Sequence, residues 1–218
     1  MVEIEAYAND NHIEIVGDMP IYVAEDSSDM WANPHLFKTD ENGKATCIAG
    51  CPPDEFSATG QLWGNPIYDW EAIGQRWLQI GGLNACVKSF KIYDIVRIDH
   101  FRGFESYWEI PAGSETAAPG KWVKGPDYKL FAAVKEELGD LNIIAEDLGF
   151  MTDEVIELRE RTGFPGMKVL NLPSTQITKA LTALTWHQTT LSCTQEHTTI
   201  TLFLVGIAMK LTIQLVKY

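Results

Sequence analysis

At 218 residues the chain is long enough to form one domain and short enough to be part of a larger one. Hydrophobic residues at 45% and charged residues at 22% give the balance of a soluble globular protein and exclude disorder over most of its length. The net charge of -13 excludes nucleic acid as a partner, because phosphate-backbone affinity needs clustered Lys and Arg, so a neutral small-molecule substrate fits better. No basic, apolar, small-residue series opens the sequence, so no secretory signal is expected. The longest apolar run, residues 200–209, is interrupted by Thr201 and stopped by Lys210, well short of the ~20 residues that span a bilayer. Cys47, Cys51, Cys86 and Cys193 form no CxxC pair, which points to free thiols in a cytoplasmic protein and to no metal site.

Taken in chain order, residues 13–18 (IEIVGD) read as a buried strand ending in an acid. Residues 24–70 are crowded with Gly, Pro, Asn and aromatics and show no sustained period, so they read as one long loop of the kind that carries function. Residues 93–99 (YDIVRID) and 142–146 (NIIAE) repeat the pattern of a short apolar run stopped by a carboxylate. Such runs suit parallel barrel strands whose C-terminal ends open onto a catalytic face. Between them, residues 130–138 place apolar side chains at helical spacing and stop at Gly139, a C-cap residue. Residues 152–161 open on Thr-Asp-Glu, an N-cap with acids in the first turn, and end before Gly163 and Pro165. The βαβα alternation predicts an α/β fold, a (β/α)8 TIM barrel with an inserted long loop.

Two strand-terminal acids on neighbouring strands supply what retaining glycoside transfer needs: one carboxylate to attack and one acid to protonate, about 5 Å apart. Asp99 and Glu146 are the candidates. Arg97, two residues before Asp99, points to the same side, where a cation favours a carboxylate ready to attack. His100 can donate to a sugar hydroxyl. The same spacing equally fits a structural Arg97–Asp99 ion pair, and acids at strand ends also cap helices. Glu146 needs its proton at neutral pH, which burial by residues 143–145 and repulsion from Asp99 would supply, whereas Asp147 should face away. Trp31, Phe56, Trp63, Tyr68 and Trp70 are candidates for stacking on sugar rings, with core packing as the alternative for each, and Asp54, Asn65 and Asp69 add polar groups beside them.

These stretches carry a specific likeness. GDMPIYV (17–23), PPDEFSATGQLWGNPIYDW (52–70), VRIDHFRGFESYWEIPAG (96–113), GKWVKGP (120–126), IIAEDLG (143–149) and GFPGMKVL (163–170) resemble the amylomaltases of glycoside hydrolase family 77. The resemblance implies a (β/α)8 barrel with inserted subdomains, no metal or organic cofactor, and transfer of α-1,4-glucan segments between maltooligosaccharides. By position, it makes Asp99 the nucleophile and Glu146 the acid/base. Arg97 and His100 match residues contacting the nucleophile or the sugar beside it, and Asp54, Trp63 and Asn65 match substrate-binding loop positions. A hydrolytic α-amylase relative is disfavoured by residues 120–126 and 52–66.

Three departures stand out. Family members are longer at the N-terminus, so the chain is expected to start within the barrel. Residues 75–82 (QRWLQIGG) place two glycines in a predicted helix, each costing about 1 kcal/mol against Ala. The family's third acid, in a Thr-His-Asp motif, is missing, and residues 171–218 lose all caps and turn signals. Codons able to encode residues 193–208, read one base earlier, give Met-Tyr-Thr-Gly-Thr-His-Asp-Asn-Asn-Thr-Val-Leu-Gly-Trp-Tyr-Arg, which restores that motif. The expectation is a central barrel piece over 1–170, a frameshifted tail over 171–218 in which no domain forms, and a chain that is inactive as it stands.

Overall fold

The computed structural model describes residues 2–55, 57–74, 92–167, 169–173, 195–196 and 199–203. The predicted helix over 75–82 lies outside them. The chain divides into two units, Met1–Phe164 and Pro165–Tyr218.

The first unit begins with α1 (Val2–Asp10), followed by β1 (Val16–Met19). After the short helix α2 (Ser28–Ala32) come β2 (Cys47–Cys51), β3 (Gln61–Pro66) and α3 (Trp70–Ile73). Then follow β4 (Ile95–Ile98), β5 (Ser106–Pro111), β6 (Lys121–Lys124), α4 (Tyr128–Leu138), β7 (Ile143–Ala145) and α5 (Asp153–Thr162).

Two sheets form. β1, β4 and β7 pair in parallel, in the order β1-β4-β7. All of β7 is buried and β4 is buried at Ile95, Val96 and Ile98, so both read as near-continuous apolar runs. Each is shorter than its predicted strand, because the terminal acids lie just past the last ladder position. The second sheet is antiparallel, in the order β3-β2-β5-β6.

That second sheet corrects the reading of residues 24–70 as one loop. β2 and β3 lie inside that segment, and β5 and β6 lie between β4 and α4. Alternation is hidden in β2 because its CIAGC is almost wholly buried, and in β3 by a Gly and a Pro within six residues.

Two of the predicted helices are found, over Tyr128–Leu138 and Asp153–Thr162, whereas α1, α2 and α3 are not among those the sequence predicts. In α4, Leu130, Phe131 and Val134 face the core, the Asp127 carboxylate accepts from the Tyr128 amide, and Gly139 closes the C-terminus. In α5, Val155 and Leu158 are buried, Thr152 is the N-cap residue and Gly163 caps in the left-handed region. The core joins both sheets through Met19, Val96, Ile98, Phe101, Phe104, Tyr107, Ile143 and Ala145. In the second unit, β8 (Val169–Pro173) pairs antiparallel with β10 (Thr199–Phe203), which pairs with β9 (Gln195–Glu196).

Candidate active site

The parallel ladder fixes where the two acids stand. Met19 pairs with Ile98, and Ile98 with Ala145. Asp99 and Glu146 are each the next residue, so they leave adjacent strands at the same level. The ladder's hydrogen bonds run on past the strands: the Asp99 amide donates to Met19 O at 2.9 Å and the Glu146 amide to Ile98 O at 3.0 Å.

Arg97 sits between two carboxylates. Its Nη2 donates to Asp99 Oδ1 at 2.5 Å and its Nη1 to Asp18 Oδ1 at 2.6 Å. Both the catalytic and the structural alternatives for the Arg97–Asp99 pair rest on this contact. Asp18 is a participant that the sequence marks only as the acid ending a strand. A fork that grips one carboxylate from the neighbouring strand fixes the angle at which it holds the other.

Glu146 is held by backbone amides. His100 N donates to Oε2 at 2.9 Å and Leu148 N to Oε1 at 2.8 Å. Burial pushes its pKa above the ordinary value. The two amide bonds pull the other way, the Asp99 charge adds to the rise and Arg97 opposes it. The net direction is upward, which favours a carboxyl that keeps its proton. Asp147 faces away, buried and bound by Arg159.

His100 occupies the left-handed region at φ 51°, ψ 47°, uncommon outside glycine. That conformation aims its amide at Glu146. Burial lowers the imidazole pKa to about 4, with the Arg102 charge adding to the fall, so the ring is neutral at physiological pH. Its buried Nε2 has no partner among the described residues. Gly103 makes room for it: a Cβ there would stand 2.7 Å from Ile21 Cδ1 and 3.0 Å from His100 Cδ2.

The loop residues divide. Trp63 meets the His100 ring edge-on, centroids 4.7 Å apart, which brings it to the acids. Asn65 donates to Val23 O at 2.9 Å, tying β3 to the segment that follows β1. Asp54 accepts from the Ser57 amide at 2.7 Å, shaping the turn before β3. The Cys51 thiol is pushed up to about 11, chiefly by burial. Tyr68 belongs to the core instead, 1% exposed and stacked on Phe37, and Trp70 packs against that core. Asp69 caps α3 by accepting from the Ala72 amide at 3.0 Å. Trp31 is 87% exposed, and Phe56 lies outside the described residues.

Among the described residues no group of three or more His, Cys, Asp or Glu is arranged to hold a metal, and no helix is long and apolar enough to cross a membrane. Cys47 and Cys51 are free thiols.

The family model described as 4-alpha-glucanotransferase matches residues 1–204. The 4-alpha-glucanotransferase of Streptococcus pneumoniae is 84% identical over 172 residues, which are 78% of this chain and 33% of that protein. The Clostridium butyricum 4-alpha-glucanotransferase is 53% identical over 171 residues, 77% of this chain and 34% of that protein. The solved amylomaltase from Streptococcus agalactiae, in complex with acarbose, superposes with a TM-score of 0.71 at 49% identity, covering 77% of this chain and 34% of that one. The chain thus spans about a third of the length of these relatives.

Proposed function

The chain belongs to the 4-alpha-glucanotransferase family, glycoside hydrolase family 77, and from that premise we propose that it carries the two acids of a retaining transferase acting on α-1,4-glucans. Asp99 attacks the anomeric carbon, forming a C1–O bond as the glycosidic C1–O bond breaks. Glu146 gives its proton to the departing oxygen. A 4-hydroxyl of a second maltooligosaccharide then attacks C1, its proton returns to Glu146, and Asp99 is released. Water in place of that hydroxyl would give hydrolysis, and residues 52–70 closing over the site would favour the sugar. No metal or organic cofactor enters these steps.

The observation that carries this reading is the register of β4 and β7, which sets Asp99 and Glu146 side by side, one gripped by an arginine and the other by two amides. His100, Trp63, Asn65 and Asp54 are proposed to bind the glucan, with the neutral His100 offering a buried ring nitrogen to a sugar hydroxyl. The proposed setting is a (β/α)8 barrel in the cytoplasm, of which β1, β4 and β7 are consecutive members of the wall.

A second reading applies to the 218-residue chain as it stands: an inactive piece with at most weak glucan binding. The absence of the Thr-His-Asp motif from the sequence favours it. We take residues 171–218 to be read out of frame after loss of one base just past Leu170. Coding DNA that runs in one frame to Tyr218, with codons incompatible with the restored motif, would refute that. Incubation with maltotriose separates the two readings. The chain itself is expected to release no glucose and build no longer oligomers. With the base restored and the remainder of the family's length supplied, both products should appear and be lost in Asp99→Asn. Disproportionation by the unaltered chain would overturn the second reading, and none from the restored protein would overturn the first.

A further inference from the structure

We propose that Arg102 is a positioning residue for Glu146, acting as a clasp that fixes the segment after β7 and thereby the amide that holds the carboxyl. This inference rests on the reading of Glu146 as acid/base.

Two segments meet at the acid: the turn after β4, carrying His100 and Arg102, and the stretch after β7, carrying Leu148 and Phe150. They are joined twice. At one end, the Glu146 carboxyl bridges the amides of His100 and Leu148. Two residues further along both segments, Arg102 Nη1 donates to Phe150 O at 3.1 Å. Its Nη2 donates to Ser106 Oγ at 3.1 Å, anchoring the clasp to β5. The guanidinium carbon lies 3.9 Å from the centroid of the Trp122 ring on β6 and 5.7 Å from that of Phe150.

The surroundings make the clasp directional. Arg102 is 5% exposed, whereas Leu148 and Phe150 are 37% and 68% exposed, so that segment has little other burial to hold it. A buried cation is costly unless its donors are used. Here Nη1 and Nη2 serve two oxygens and the guanidinium lies over a ring, Nε has no hydrogen-bond partner among the described residues, and the adjacent Glu105 carboxylate is taken by Lys124 and Ser106. Planar, two-pronged donation of this kind is open to arginine and not to lysine. With the clasp cut, residues 148–150 lift, water replaces the Leu148 amide, and Glu146 loses the burial that is the largest cause of its raised pKa.

The test is a titration of the Glu146 carboxyl in the full 218-residue chain by carbon-13 NMR, assigned by its disappearance in Glu146→Gln. In Arg102→Met the midpoint should fall toward the ordinary glutamate value by about half a pH unit or more. Arg102→Lys should show a fall of the same sign, and the Leu148 amide should exchange about tenfold faster in both. Phe150→Ala removes an exposed ring and threatens folding least; it should move the midpoint the same way by a smaller amount. The other titratable and charged groups beside Glu146, namely Arg97 of β4, Asp99 and His100 just past it and the Cys51 thiol of β2, are unaltered in every variant. A midpoint that stays or rises in the folded variants overturns the clasp. The outcome is separable from the transferase reading, since Glu146→Gln retaining transfer would remove the acid/base assignment while leaving the titration result intact.

Discussion

The parallel sheet β1-β4-β7 and the antiparallel sheet β3-β2-β5-β6 are built of similar residues and divide the work. The parallel sheet is short and largely apolar: Asp18 and Arg97 are the charged residues within its strands, and Asp99 and Glu146 follow where β4 and β7 end. The antiparallel sheet carries charges along its length. Glu109 on β5 lies between Lys38 and Lys121, and Lys38 also donates to the Tyr107 hydroxyl at 3.0 Å. In the first sheet Asp99 and Glu146 follow their strands and are proposed to serve chemistry. In the second a carboxylate sits within the strand and serves the fold.

The sharpest way to break this contrast is to exchange the expected effects. In the frame-restored protein of full family length, Asp99→Asn should reduce transfer from maltotriose to background. Glu146→Gln should cost about 10³-fold with maltotriose, within the range for loss of a general acid. The loss should be much smaller in the glycosylation step with a glycosyl fluoride, whose leaving group needs no proton. An equal loss with both substrates would mean that Glu146 acts otherwise than as the acid.

The pH dependence sharpens the same point. Glu146 has a raised pKa, so its protonated form is favoured in the folded chain. The rate of the first step should be full below that pKa and fall as pH rises through it, more alkaline than an ordinary glutamate would allow. A kcat/KM profile rising through that range would contradict the assignment.

In the antiparallel sheet, Glu109→Ala should lower stability by about 2 kcal/mol, since it leaves the half-buried Lys38 without its carboxylate. Burial pushes the Glu109 pKa up, but the bonds and charge of Lys38 and Lys121 outweigh it and the net direction is downward. That part of the stability is present above the unfolded-state pKa and lost as pH falls through the lowered one. Thermal unfolding of both proteins at neutral and acid pH reads the difference, which should shrink in acid. The smallest effect is expected from Asp69→Ala, about 1 kcal/mol for a lost helix cap, with the maltotriose KM unchanged. A raised KM would return Asp69 to the substrate.

These contrasts explain what the sequence discloses. Asp99 and Glu146 are legible because each ends a short, mostly apolar run, and α4 and α5 because their spacing and caps agree. β2 and β3 are not legible, since burial on both faces erases alternation in CIAGC and Gly64 and Pro66 disguise QLWGNP. Among the aromatics, composition cannot tell Tyr68 in the core from Trp63 beside His100, because the difference lies in tertiary packing. The grip of Asp18 on Arg97 joins residues 79 apart, and the left-handed turn at His100 has no glycine to announce it.

One covalent bond, from Asp99 to the anomeric carbon, decides the proposed chemistry. Treating the frame-restored Glu146→Gln protein with α-maltosyl fluoride should let glycosylation proceed without the acid while the later step stalls, so that the adduct accumulates. Mass analysis of its peptides should find a maltosyl group on the side chain of Asp99. A maltosyl group on any other residue, or consumption of the fluoride with no adduct and inversion at the anomeric carbon, would contradict it.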